Sequence, residues 1–285
     1  MVNFEIHDNG WTVILKDFDF KTACQEDINH ISKLIANNTL VVVRNQNLTI
    51  EDEVRVARMF KEPQCFNPTI DDNYIGEMTG CEIDGSEGLF LRVTGEKDDQ
   101  GRPGIAGHVS EMIWHCNEPG AEDRKPIVWL YSVKGSKGSR TSWNNNILSY
   151  QDLTDDMKTK IEHYKLQVLL ESGFDAEHPD PDLVISDYNP PMVRKNIAGK
   201  KGLFFPFLQI VKILDIPENE SQELINWLSS YTIQDKYCYH HDWEDGDVVI
   251  AEQNLGIHKR WRFDKIEQRL LHRGAFDFPN QDYQD

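Results

Sequence analysis

The chain has 285 residues, with 30 Lys and Arg against 48 Asp and Glu, a formal net charge of -18 and a pI near 4.9. This length is enough for one large β-rich domain or two small ones, and the acidic excess argues against a surface that wraps DNA or RNA. Five scattered cysteines without C-x-x-C spacing, a start (Met1-Val2-Asn3-Phe4-Glu5) lacking signal-peptide regions, and the absence of a membrane-length apolar run predict a soluble, cytoplasmic protein. The expectation is small-molecule work, with no nucleic-acid partner and no membrane partner.

In chain order, residues 10–15 read as a short strand. Residues 25–37 read as a helix, because Ile28, Ile31, Leu34 and Ile35 keep an i, i+3, i+4 spacing. The β-branched run 39–44 suits a buried strand. Thr49, followed three residues later by Asp52, caps a second helix that runs to about Phe60 and stops before Pro63. Residues 71–107 are rich in Gly, Asp and Glu and too long for an ordinary connection. They read as a cover over an active site or, with equal weight, as a solvated excursion.

Residues 126–133 form a second dense strand, and 138–143 turn into a third. A helix is expected over 154–163, with Asp155 and Asp156 in its first turn. The basic stretch 192–205 suits a hairpin around Gly199 and Gly202, and 218–231 is again helical. Asp245-Gly246-Asp247 is a tight turn before the buried strand 248–251. Residues 268–276 alternate as a closing strand, with Arg269, Leu271 and Arg273 on one side.

The chemistry concentrates in Ile113-Trp114-His115-Cys116-Asn117-Glu118 and in the distant His258. Non-haem iron enzymes hold their metal on one face with two imidazoles and a carboxylate and leave the opposite face open. Strand alternation would turn His115 and Asn117 to one side and Cys116 to the other. At the third position an Asn keeps an oxygen donor but not its charge. The other histidines, including His108, His163, His178, His240, His241 and His272, read as ordinary core or surface residues, and Trp114 and Trp129 as core aromatics or, alternatively, as walls of the pocket.

These segments, in this order, resemble the TauD/TfdA family of Fe(II)- and 2-oxoglutarate-dependent dioxygenases over most of the chain. The resemblance rests on Val41-Val42-Val43-Arg44-Asn45-Gln46 and the helix after Leu48-Thr49, then on Trp114-His115-Cys116-Asn117 and the turn 138–143. It continues in Asp245-Gly246-Asp247, His258, Arg269 and Arg273. It implies a mainly β fold with flanking helices, a double-stranded β-helix or jelly roll, as a single domain over 1–285. It implies His115, Asn117 and His258 as catalytic metal positions, and Arg269, 11 residues after His258, as the grip on the far carboxylate of 2-oxoglutarate. Thr141 takes the place of a hydroxyl sharing that carboxylate. Arg273 takes the place of a group holding a substrate anion, and reads equally as a structural ion-pair partner.

The implied reaction uses Fe(II), 2-oxoglutarate and O2 to hydroxylate an unactivated C-H bond of a small, charged metabolite, releasing succinate and CO2. Asn117 departs from the family's His-x-Asp or His-x-Glu. Four readings stand: the Asn117 amide oxygen or a water it holds completes the site; halide takes the position, as in a halogenase; Glu118 ligates instead; or the chain is a non-catalytic binding relative. The oxygenase reading stands first because Arg269 and Thr141 remain in place. A homo-oligomer is an expectation carried by the resemblance alone.

Overall fold

The computed structural model describes residues 2–67, 80–170, 183–264 and 269–283. The strands in them are β1 (Phe4–Ile6), β2 (Val13–Leu15), β3 (Leu40–Val43), β4 (Leu91–Val93), β5 (Met112–His115), β6 (Ile127–Lys134), β7 (Arg140–Asn144), β8 (Leu166–Val168), β9 (Val193–Lys195), β10 (Lys201–Leu203), β11 (Ile210–Ile213), β12 (Cys238–Asp242), β13 (Val248–Glu252), β14 (His258–Arg260) and β15 (Leu270–Phe276). The helices are α1 (Gln25–Asn38), α2 (Ile50–Ala57), α3 (Asn146–Gln151), α4 (Asp155–Ile161) and α5 (Glu218–Tyr231).

A seven-stranded sheet runs β1-β2-β3-β13-β6-β15-β4, and a four-stranded sheet runs β12-β7-β14-β5. All pairings in the two sheets are antiparallel except β2 with β3. β3 shows why a valine run is needed in the middle of the large sheet. Val41 and Val43 pack with α1 and α2 on one face, while Leu40 and Val42 face the second sheet. β13 repeats the pattern, with Val248 and Ile250 toward the helices and Val249 and Ala251 toward Trp143 and Tyr239 of the small sheet. On the far side of the small sheet, Trp114 and Cys116 join Phe204, Phe205, Leu224 and Leu228 in a further apolar layer against α5 and the β9–β10 hairpin.

The predicted helices are present, α2 with its expected Thr49 cap but ending at Ala57 and not near Phe60. Asp27 Oδ2 accepts from the Cys24 amide at 3.1 Å ahead of α1, and Thr49 Oγ1 accepts from the Asp52 amide at 3.3 Å ahead of α2. The 154–163 expectation is met by α4, where Thr154 Oγ1 accepts from the Met157 amide at 3.2 Å. The hairpin forms as β9 and β10, but only Gly199, at φ +75°, serves its turn, while Gly202 lies in β10 opposite Arg194. Several elements escaped the sequence reading, among them the short strands β4, β8, β11, β12 and β14, as well as β1 and α3. β1 is exposed throughout and so carries no burial pattern. The six-residue α3 is held by Asn145, whose Oδ1 accepts from the amides of Ile147 and Leu148 at 3.0 and 3.1 Å.

Of the long stretch 71–107, residues 71–79 lie outside the described residues. The remainder is not a structureless loop. β4 pairs with β15 at the edge of the large sheet, and Arg92 Nη2 donates to the carbonyls of Gly80 and Pro103 at 3.0 and 2.9 Å. All five cysteines are free thiols, and no helix among the described residues is long and apolar enough to cross a membrane.

Candidate active site

Register across the small sheet sets out the site in two rows. One row is Tyr239, Trp143, His258 and His115, and the next is His241, Thr141 and Arg260, each residue opposite its neighbour on the adjoining strand. Directly opposed side chains on one face of a sheet are in contact range. The His115 and His258 ring centroids are accordingly 4.2 Å apart, although 142 residues separate them in the chain. Trp143 stacks on the outer side of His258, with centroids 6.4 Å apart and planes inclined by 23°.

His115 is buried, and its Nδ1 lies 2.6 Å from the Ile113 carbonyl oxygen. A carbonyl only accepts, so Nδ1 carries the hydrogen and Nε2 keeps its lone pair for a metal. Burial lowers the pKa of His115 to about 4, helped by the nearby guanidinium groups of Arg260 and Arg273. Burial also holds His258 well below the usual histidine value, with His115 and Arg273 adding to the effect. Both rings are therefore neutral at pH 7, the form that ligates.

Unfolded histidine protonates near 6.5, whereas folded His115 does so only near 4. The contribution is fully present above pH 6.5 and is lost as pH falls toward 4, to a limit of about 3 kcal/mol for His115 by linkage. Melting temperatures of the metal-free protein should drop between pH 6.5 and 4.5, and His115→Gln should flatten that slope. Equal slopes for the two proteins would contradict the assignment.

Asn117 differs from its expected setting. The regular strand ends at His115, and Asn117 falls in a bend followed by Glu118 at φ +52°. The pleat therefore does not orient it. Two buried glutamines hold this segment instead. Gln209 accepts from the Cys116 amide at 3.0 Å and donates to the Cys116 carbonyl at 3.1 Å, while Gln253 Oε1 accepts from the backbone and side-chain nitrogens of Asn117 at 3.2 and 3.1 Å. Cys116 lies with Trp114 in the helix-side apolar layer, as alternation predicts. Glu118 Oε1 accepts from Gln64 Nε2 at 3.1 Å. Among the described residues no third His, Cys, Asp or Glu stands where it could join the two histidines around a metal ion.

The loop that delivers His258 depends on close backbone contact. Glu252 accepts from the amides of Asn254 and Leu255 at 2.9 Å each, and Asn144 Oδ1 accepts from the Ile257 amide at 2.9 Å. A Cβ on Gly256 would come within 2.9 Å of the Asn144 carbonyl oxygen and 3.0 Å of the Glu252 carbonyl oxygen. Gly256→Ala should lower the melting temperature by several degrees, for a cost of about 1–3 kcal/mol. Metal affinity should fall with it, and an unchanged melting curve would show that the backbone gives way freely.

Arg269 lies just before β15, and its Nε donates to Ser139 Oγ at 3.3 Å. Ser139 lies just ahead of β7, which carries Thr141, so Arg269 meets the start of the segment that holds the Thr141 hydroxyl. Trp243 Nε1 donates to Thr141 Oγ1 at 2.9 Å, which leaves the hydroxyl hydrogen of Thr141 for another acceptor. Arg269 and Arg260 share the Phe263 ring, with Cζ atoms 5.0 and 5.4 Å from its centroid. Burial beside Arg260 pulls the Arg269 pKa down to about 9, and among the described residues no carboxylate pairs with it. A buried guanidinium in this state suits an incoming carboxylate.

Arg273, two residues beyond Leu271 on the inward side of β15, is buried near the histidine pair and stands 5.6 Å from the Phe66 ring. His272 points the opposite way, to Glu53 Oε1 at 2.6 Å. Arg260 ties down residues 106–110, donating to the carbonyls of Ala106, His108 and Ser110 at 2.6, 2.7 and 2.9 Å. Sequence reasoning missed Gln253, Gln209, Trp243 and Arg260. Arg260 stood two positions after His258, and Trp243 two positions before the turn at Asp245.

The chain is similar to known proteins over most of its length. The family profile described as taurine catabolism dioxygenase TauD, TfdA family matches residues 8–275. Pentalenolactone F synthase of Streptomyces avermitilis is 24% identical over 226 residues, covering 72% of this chain and 73% of that protein. The (S)-phenoxypropionate/alpha-ketoglutarate-dioxygenase of Sphingobium herbicidovorans is 25% identical over 252 residues, 81% of this chain and 79% of its own. Among solved structures, a taurine dioxygenase from Burkholderia xenovorans superposes with a TM-score of 0.73 at 18% identity, covering 98% of this chain and 89% of that one. AAD-2 in complex with Mn(II) and N-oxalylglycine gives 0.74 at 16% identity, covering 99% and 98%.

Proposed function

Because this chain belongs to the TauD, TfdA family and is an Fe(II)- and 2-oxoglutarate-dependent dioxygenase, we propose that it hydroxylates an unactivated C-H bond of a small, anionic metabolite. The observation that carries this reading is the pair of neutral, buried imidazoles of His115 and His258, 4.2 Å apart, on a face shared with buried arginines. Two imidazole nitrogens and an amide oxygen make a donor set that accepts Fe(II), with His115, His258 and Asn117 as its holders. Bound Fe(II) and 2-oxoglutarate supply oxygen activation, with succinate and CO2 as co-products. Arg269 pairs with the far carboxylate of 2-oxoglutarate, and the Thr141 hydroxyl, its oxygen already engaged by Trp243, donates to the same carboxylate.

Arg273 is the substrate's anchor in this reading. Its position near both histidines puts a fixed positive charge beside the metal site, where an anionic substrate group would be held with its C-H bond toward the metal. The stretch 80–107 and its Arg260-pinned continuation serve as a cover that limits water entry. The two facing sheets are read as a double-stranded β-helix forming one domain over 1–285, in a cytoplasmic enzyme. Halogenation is less well supported, because the Asn117 side chain is held in place by Gln253 and does not vacate the third position.

The test is an anaerobic titration of metal-free protein with Fe(II) and 2-oxoglutarate. A weak visible metal-to-ligand charge-transfer band should appear, and succinate should form on admitting oxygen with an anionic substrate. Folded protein that gives no band would overturn the ligand assignment. Turnover that requires chloride would replace hydroxylation by halogenation.

A further inference from the structure

The third metal position holds an amide, and an amide offers either an oxygen that can ligate or an NH2 that cannot. What turns it therefore decides whether the site has a third donor. The chain of contacts around Asn117 determines its orientation from groups that have no choice of role. The Lys125 carbonyl can only accept, and Gln253 Nε2 lies 2.6 Å from its oxygen. The Asn117 backbone N-H can only donate, and Gln253 Oε1 lies 3.2 Å from it. These two backbone groups, one at each end of the Gln253 amide, admit a single assignment of its oxygen and nitrogen. With Gln253 Oε1 facing residue 117, the side-chain nitrogen of Asn117 donates to it at 3.1 Å, and Oδ1 is left on the other side of the amide. Among the described residues nothing donates to Oδ1. Gln253 is itself almost fully buried and is anchored by its own amide to the Pro126 carbonyl at 2.8 Å. Gln253 borders one small cavity together with His258 and Trp143, which places it beside His258.

We infer that Gln253 is a positioning residue for the metal site: by accepting both N-H groups of Asn117 it presents the Asn117 side-chain oxygen as the third, neutral donor beside His115 and His258. The inference rests on the ligand set proposed above. It also makes Asn117 and Gln253 a matched pair, since a carboxylate at 117 would set two acceptors face to face. Outer partners of metal ligands commonly set affinity by about 10- to 100-fold.

The experiment measures Mn(II) affinity of the full chain by calorimetry, with melting temperature recorded for every variant. Gln253→Met removes the acceptor and should weaken Mn(II) binding about tenfold or more. In an Asn117→Ala background the same change should alter affinity less than about twofold, because its route through Asn117 is gone. Gln253→Glu keeps an acceptor toward Asn117 and should keep Mn(II) affinity within about threefold of the parent, even with a lower melting temperature from its clash with the Lys125 carbonyl.

If Asn117→Ala binds Mn(II) as well as the parent, Asn117 is not a ligand, and the proposed ligand set falls together with this inference. If Asn117→Ala weakens binding but folded Gln253→Met does not, the ligand set stands and the positioning role is overturned. An equal loss from Gln253→Met in both backgrounds also overturns it. Should Gln253→Met fail to fold, the Glu variant decides: a tenfold loss in folded protein refutes the role, and retained affinity supports it.

Discussion

An Arg269→Ala variant is expected to bind 2-oxoglutarate about 100-fold more weakly than the parent while melting no lower. The guanidinium is buried, its pKa is pulled down to about 9 by burial beside Arg260, and its hydrogen bond to Ser139 Oγ is long at 3.3 Å. A charge in that setting destabilises the free protein and is compensated when a carboxylate arrives. Hydrogen bonds to charged groups contribute about 1.5–3 kcal/mol each, and 1.4 kcal/mol is tenfold in affinity, so losing the fork costs roughly 100-fold. Arg269→Lys should recover only part of this, because an ammonium lacks the planar pair of donors. Calorimetric titration of 2-oxoglutarate into the Mn(II)-loaded variants checks both statements. A Kd unchanged in the alanine variant would remove Arg269 from the co-substrate site.

The second large effect is expected from His258→Ala, which should weaken Mn(II) or Fe(II) binding by more than about 100-fold, the upper end of what an outer-shell change costs. The strand itself should persist, since β14 is paired through its backbone to both β5 and β7. Folding and metal loss are therefore separable in this variant, and circular dichroism with a metal titration reads both. Metal affinity that survives the change would mean that His115 ligates with some other set of groups.

Asn117→Asp works in the opposite direction. It adds a charge at the third position and should tighten metal binding, by no more than about tenfold, 1.4 kcal/mol, because Gln253 Oε1 stays opposite the new carboxylate. Looser metal retention in that variant would place Asn117 away from the ion.

The parts of this protein that could be read from the linear chain are those with a local cause. α1 follows from apolar spacing and the start of α2 from its Thr49 cap, and β3 and β13 from β-branched runs buried on both faces. Strand alternation in β15 correctly separated Leu271, which faces the second sheet, from His272, which meets Glu53 across the helix side. The same rule does not apply at Asn117, two residues past the end of its strand, where hydrogen bonds and not the pleat orient the side chain. α3 and β1 were missed for related reasons: one is a single capped turn and a half, and the other is exposed along its whole length.

Residue chemistry and order in the chain thus determined which groups are available: two histidines, an amide in place of a carboxylate, a threonine and two late arginines. They also carried the family resemblance, since spaced motifs in a given order survive where overall identity is low. What the tertiary structure decided is the state of those groups. Antiparallel register brought His115 opposite His258, and burial between two sheets made both neutral and stripped Arg269 of solvent. A glutamine 136 residues from Asn117 set the direction of its amide. Register, desolvation and hydrogen-bond direction are properties of neighbours that meet only in the folded chain, and no local pattern around these residues encodes them.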